Sequence, residues 1–240
     1  VQGTLHHAVR EVVGLGGGSA SRIVGASCLV LVLVLASFNF YVIRSSNRAP
    51  DDAYISLRYA RHLAEGEGFR FNPGGENVEG FSSPLHVMTM AVLIRAGFDP
   101  LAVSQATSLL AALLTVMLTA WWGQRRLGPL WGTLAGAAVA LHPGLSTWAR
   151  GGLETTGFTL LVLILFVLGA EGRWRAAAAA AGLLAVTRPE GILYWAPLFG
   201  YAAFQVWREG RPLRGILPMG ALAVALSLPW LVFRLAYFRD

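Results

Sequence analysis

The feature that most constrains this chain is a succession of apolar runs, nearly free of charge, several of them near membrane-crossing length. The first, residues 23–43, holds no acidic or basic residue. A helix that crosses the hydrocarbon core of a bilayer needs about 20 apolar residues. Further runs cover 101–122, 129–141, 153–170, 176–186, 192–207 and 216–238, and seven crossings are expected. Residues 84–96 are apolar but too short to cross, which predicts a juxtamembrane or re-entrant helix. The whole chain is 55% hydrophobic and 13% charged, with mean hydropathy +0.56. A soluble domain could not cover that much apolar surface with so few charges. The runs lack the alternation of an outer-membrane barrel strand. The expected fold class is therefore all-α integral membrane. A cleaved signal peptide does not fit, because the first run begins late, is long, and is followed by others.

The loops between the runs set the orientation. All 19 basic residues are arginine. Arg125 and Arg126, Arg173 and Arg175, and Arg208, Arg211 and Arg214 fall in alternate short loops, as the positive-inside rule requires of the cytoplasmic side. Residues 1–22 are then a cytoplasmic tail, and 44–98 form the first extracytoplasmic loop with its juxtamembrane helices. The net charge of +6 follows from these span-end arginines. No basic-aromatic pattern for nucleic acid accompanies it. The single cysteine, Cys28, allows neither an internal disulfide nor a thiolate metal site.

With that orientation, polar motifs separated by whole runs share the outer face. They are Asp51-Asp52, Glu79 within Val78-Glu79-Gly80-Phe81-Ser82-Ser83-Pro84, Arg150 to Glu154, and Thr187-Arg188-Pro189-Glu190-Gly191. Arginine binds phosphate through a planar fork of donors. A carboxylate can take the proton from a hydroxyl as that hydroxyl attacks. Simpler roles stand beside these. Asp52 can N-cap a helix over 53–65. Arg150 and Glu154, four residues apart, can pair locally. Arg188 can snorkel from a span end, and Glu79 can be a solvated loop charge. His86 and His142 read as packing or interfacial residues.

The same segments carry a resemblance. Asp51-Asp52-Ala53-Tyr54-Ile55, Arg58-Tyr59-Ala60, Phe71-Asn72-Pro73-Gly74 and Val78 through Leu85 resemble the first outer loop of GT-C glycosyltransferases. Gly152-Leu153-Glu154-Thr155 and Arg188-Pro189-Glu190-Gly191 match two later signatures in order. The chain is similar to the actinobacterial terminal β-1,2-arabinofuranosyltransferases of cell-wall biogenesis. The resemblance implies a multi-pass enzyme of the bacterial plasma membrane. It would move a sugar, arabinofuranose being one choice, from a polyprenyl-phosphate donor to a cell-envelope glycan or glycolipid outside. Asp51, with Asp52 second, would be the general base. Arg58, Arg150 and Arg188 would hold the donor phosphate, and Glu79 and Glu154 the sugar. Some relatives use a divalent cation, but no full ligand set is visible beside the aspartates. Relatives continue into further helices and a soluble domain, so 23–240 is expected to be the catalytic module of something longer. Two alternatives remain: another sugar, such as mannose, or a lipid-linked-sugar flippase or binding protein without chemistry.

Overall fold

The structure, a computed structural model, describes residues 49–210 and 212–238, with 25, 26, 29, 30, 32–34, 36, 37 and 41. The tail 1–22, Cys28, residues 44–48 and Arg211 lie outside the described residues. No strand occurs among those described. The helices are α1 (Asp51–Glu65), α2 (Pro84–Arg95), α3 (Pro100–Leu127), α4 (Pro129–Ala140), α5 (Pro143–Gly151), α6 (Thr155–Ala170), α7 (Trp174–Thr187), α8 (Trp195–Arg208) and α9 (Leu217–Phe238). Short 3₁₀ turns at Pro189–Tyr194 and Leu213–Ile216 lead into α8 and α9.

Among the described residues two stretches are long and apolar enough to cross a membrane: Pro100–Leu127 and Leu213–Phe238. The apolar helices α4, α6 and α7 run for 12, 16 and 14 residues, below the length needed for a perpendicular crossing. The run at 192–207 is divided, its first residues forming a 3₁₀ turn behind Pro189. Residues 143–151, expected as loop, form α5. Pro143 opens it and Gly152, at φ +68°, ends it in the left-handed region, the usual pairing of start and stop signals.

α3 is the axis of the fold. Its first turn is capped by Asp99, whose carboxylate accepts from Ala102 N at 2.8 Å. α4 doubles back along it at very close range. A Cβ on Gly132 would stand 2.1 Å from Gln124 N, and one on Gly136 2.6 Å from Ala120 Cβ. Small residues at four-residue spacing let two backbones meet in this way. On another side α6 runs parallel to α3 and is fastened to it near both ends. At one end Ser108 Oγ donates to Leu153 O at 2.8 Å and Thr156 Oγ1 donates to Ser108 O at 2.9 Å. At the other end Trp122 Nε1 and Arg126 Nη2 both donate to Glu171 Oε1, at 3.1 and 2.7 Å.

α1, α2 and the loop joining them form a cap on the far end of α9. Phe69 and Phe81 bring it there. Their rings lie 5.6 Å apart, and Phe69 meets Trp230 at 5.5 Å and Phe233 at 5.6 Å. Such tilted and edge-on aromatic contacts each contribute about 0.5–1.5 kcal/mol beyond area burial. This aromatic knot fixes where the loop between α1 and α2 sits relative to α9.

Candidate functional site

α1 begins at Asp51 after Pro50, so both aspartates lie in its first turn, and no side chain caps it. The expected N-cap at Asp52 is thus replaced by a first-turn acid, which the partial positive charge of the helix start favours. Asp52, Ile55 and Ser56 share one face of α1 and line an open cleft of about 660 Å³. Glu79, Ser82, Trp148, Leu153, Glu154, Thr155 and Arg188 complete its polar and apolar walls. Four separated segments therefore bring Asp52, Glu79, Glu154 and Arg188 to one cavity. Asp51, Arg58 and Arg150 are not among the lining residues.

Glu154 is positioned by α3. Gly152 and Leu153 make the turn between α5 and α6, and Ser104 Oγ donates to Gly152 O. Ser108 holds the next carbonyl, and Gln105 Nε2 donates to Arg150 O at 3.1 Å. Because Gly152 breaks the helix, Arg150 and Glu154 do not share a helical face. Glu154 is only 8% exposed. Ser82 Oγ donates to its Oε1 at 3.2 Å, and Arg188 Nε stands 3.8 Å away.

Arg188 sits in extended backbone between α7 and the 3₁₀ turn. Its Nε lies 2.9 Å from Glu190 Oε1. The N–H points off that line, so the contact is an ion pair without a directed hydrogen bond. Its guanidinium also lies 5.8 Å from the centre of the Phe158 ring. Gly191 lets the turn press against α7, where an added Cβ would stand 2.1 Å from Leu184 O.

Glu79 is held from the opposite wall. Arg234 Nε, on α9, donates to its Oε2. Tyr59 pins both sides of Glu79, donating to Val78 O at 2.8 Å and accepting from Gly80 N at 3.1 Å. Burial pushes the Tyr59 hydroxyl above its usual range, opposed by the Gly80 bond, and the Glu79 charge adds to the rise. Arg58 serves the loop instead. It donates to Phe71 O at 2.7 Å and Asn72 Oδ1 at 2.8 Å, with its guanidinium 4.3 Å from the Phe71 ring centre.

Behind Glu154 lies a smaller, mostly apolar cavity of about 270 Å³, lined in part by Leu85, His86, Met90, Leu160 and Leu161. His86 Nε2 is buried there with no hydrogen-bond partner. Burial pulls the imidazole below its usual range, against opposing effects of the Glu154 charge and a Gly152 carbonyl. Among the described residues the aspartate pair gathers no third metal ligand. Among the described residues the group close enough to share an ion is His62, Glu65 and Glu67, at the other end of α1.

Arg234, Ser82 and Trp148 were not singled out from the sequence. Arg234 had a readable signal, since it is a charge inside a long apolar run, and such charges face partners. Ser82 lay within the Val78–Pro84 motif without being given a role, and Trp148 had no signal. Comparison with protein-family models, curated proteins and solved structures finds no match.

Proposed function

We propose that this chain is the membrane module of a glycosyltransferase that takes a sugar from a polyprenyl-phosphate donor and passes it to a cell-envelope glycan or glycolipid on the outer face. The observation that carries this reading is the convergence of Asp52, Glu79, Glu154 and Arg188, from four distant segments, on one open cleft. In the proposed topology seven helices cross the bilayer with the N-terminus inside. The short ones cross within the bundle, where the bilayer thins to meet them. Two arrangements support it: the first outer loop packs on the end of α9, and Arg126 pairs with Glu171 at the opposite end of α3.

The reaction is a single displacement with inversion. Asp52, exposed at the cleft edge, accepts the proton of the acceptor hydroxyl. The freed oxygen attacks the anomeric carbon, the bond to the donor phosphate breaks, and the phosphate leaves with the electron pair. Arg188 offsets the charge gathering on that phosphate. It can do so because Glu190, its present partner, is 47% exposed and exchanges readily with solvent. Glu79 and Glu154 are already oriented by Arg234 and Ser82 and accept hydrogen bonds from sugar hydroxyls. Asp51, one residue round the helix, is the lesser candidate for the base.

The test is sugar transfer by membranes carrying Asp52→Asn or Asp51→Asn, with a panel of lipid-linked arabinose, mannose and other donors. General base loss costs about 10²–10⁴-fold, so Asp52→Asn should drop by at least that lower figure while Asp51→Asn stays within tenfold. Wild-type transfer by Asp52→Asn removes the base from the scheme. Donor binding without transfer by the unaltered chain makes it a carrier of lipid-linked sugars instead.

A further inference from the structure

The C-terminal turn of α1 holds a group of side chains that the cleft does not use. One ring nitrogen of His62 and one carboxylate oxygen each from Glu65 and Glu67 lie within 4.8 Å of one another. His62 is buried to 8% exposure, unlike the two glutamates, which are exposed. Its Nδ1 stands 2.8 Å from Arg70 O. A carbonyl oxygen only accepts, so Nδ1 is the donor in that bond, and Nε2 is the nitrogen left to bind a metal. No bond to Nε2, and no ion pair to either carboxylate, occurs among the described residues. An imidazole oriented through a backbone carbonyl on one nitrogen, with the other nitrogen open, is the usual arrangement of a metal-bound histidine.

The backbone explains why three ligands meet. Gly66 ends α1 at φ +88°, and Glu67 N bonds back to His62 O at 2.9 Å. That reversal folds Glu67 over the last turn beside Glu65. The negative end of the helix dipole also points there, which favours a cation. Some 11 residues of helix, about 16 Å, separate the group from the aspartates of the cleft.

We propose that His62, Glu65 and Glu67 form a site for a divalent transition metal, with Zn²⁺ the ion that one imidazole and two carboxylates suit best and water in the fourth position. The ion clasps the end of α1 to the turn that carries Phe69 and Arg70, and so holds the outer loop in place. Moderate affinity is expected, because two ligands are exposed and must be ordered on binding.

The experiment is zinc titration of the purified full chain in detergent by calorimetry, with metal content after gel filtration. The chain should retain about one Zn²⁺. The Glu65→Gln/Glu67→Gln double variant, altered only at exposed positions, should bind at least tenfold more weakly while its circular dichroism stays unchanged. His62→Gln tests the buried ligand. No retained zinc in the unaltered chain, or equal binding by the double variant, overturns the site; in the second case the ion sits elsewhere. Displacement of zinc by equimolar Mg²⁺ overturns the role of His62, since that outcome marks an all-oxygen site.

Discussion

Gly191→Ala tests how Arg188 is held. A Cβ at this position would lie 2.1 Å from Leu184 O, 2.4 Å from Leu184 C and 2.8 Å from Ala185 N. All three are backbone atoms inside α7, so no side chain can swing aside. Ordinary contact with oxygen begins near 3.4 Å, and the turn must therefore retreat by about 1.3 Å. Overpacking of this kind costs about 1–3 kcal/mol. Replacing glycine restricts the unfolded chain and returns about 0.4–1 kcal/mol. The net loss is about 1–2 kcal/mol, a fall in melting temperature of roughly 2–8 °C for a chain of this size. Arg188 lies three residues away and moves with the turn. A displacement near 1 Å of a group that positions substrate costs up to about 100-fold in rate. Thermal melts followed by tryptophan fluorescence, together with the transfer assay, read both effects. Gly200→Ala is the control, because nothing stands within 4 Å of a Cβ there and the exchange favours a helix. If Gly191→Ala melts with the wild type, or shifts no further than Gly200→Ala, the close approach does not position Arg188.

Two further outcomes are expected. Arg188→Ala removes the positive charge 3.8 Å from the nearly buried Glu154 and leaves it the bond from the Ser82 hydroxyl, and should cost about 1–2 kcal/mol, between surface and buried ion pairs; Glu154→Gln in that background should recover most of it, and a double variant that melts no higher refutes the coupling. His86 has a folded pKa below the unfolded value of 6.5, so the unfolded chain binds more protons and stability rises with pH; melting temperature should fall as pH drops below about 6.5, and His86→Gln should flatten that slope, a change that an unaltered slope in the variant would disprove.

Helices followed from the apolar runs because each is bounded by prolines, glycines or charges. The meeting of Asp52, Glu79, Glu154 and Arg188 was legible because alternating loops put those residues on one side. The finer arrangement was not. Arg234 reaches Glu79 across 155 residues of sequence, and no local pattern encodes a contact that depends on an aromatic knot between α9 and the cap. Arg58 looked available for phosphate, yet its donors go to a loop whose path only the folded chain defines. α5 had its proline and glycine signals, but Gly144 and Ser146 weakened the helical reading. The 3₁₀ turn after Pro189 divided a run whose hydropathy is continuous.

The double fastening of α3 to α6 has a mechanical consequence. The bonded points are 14 residues apart on α3 and 15 on α6, nearly equal lengths of rod tied at each extremity. Neither helix can slide without tearing both ties, so Glu154, at the head of this braced pair, is the stationary jaw. The other walls of the cleft, with Asp52 on α1, the Glu79–Arg234 link to α9 and Arg188 beyond α7, lie outside that brace and are the ones left to adjust around a bound molecule.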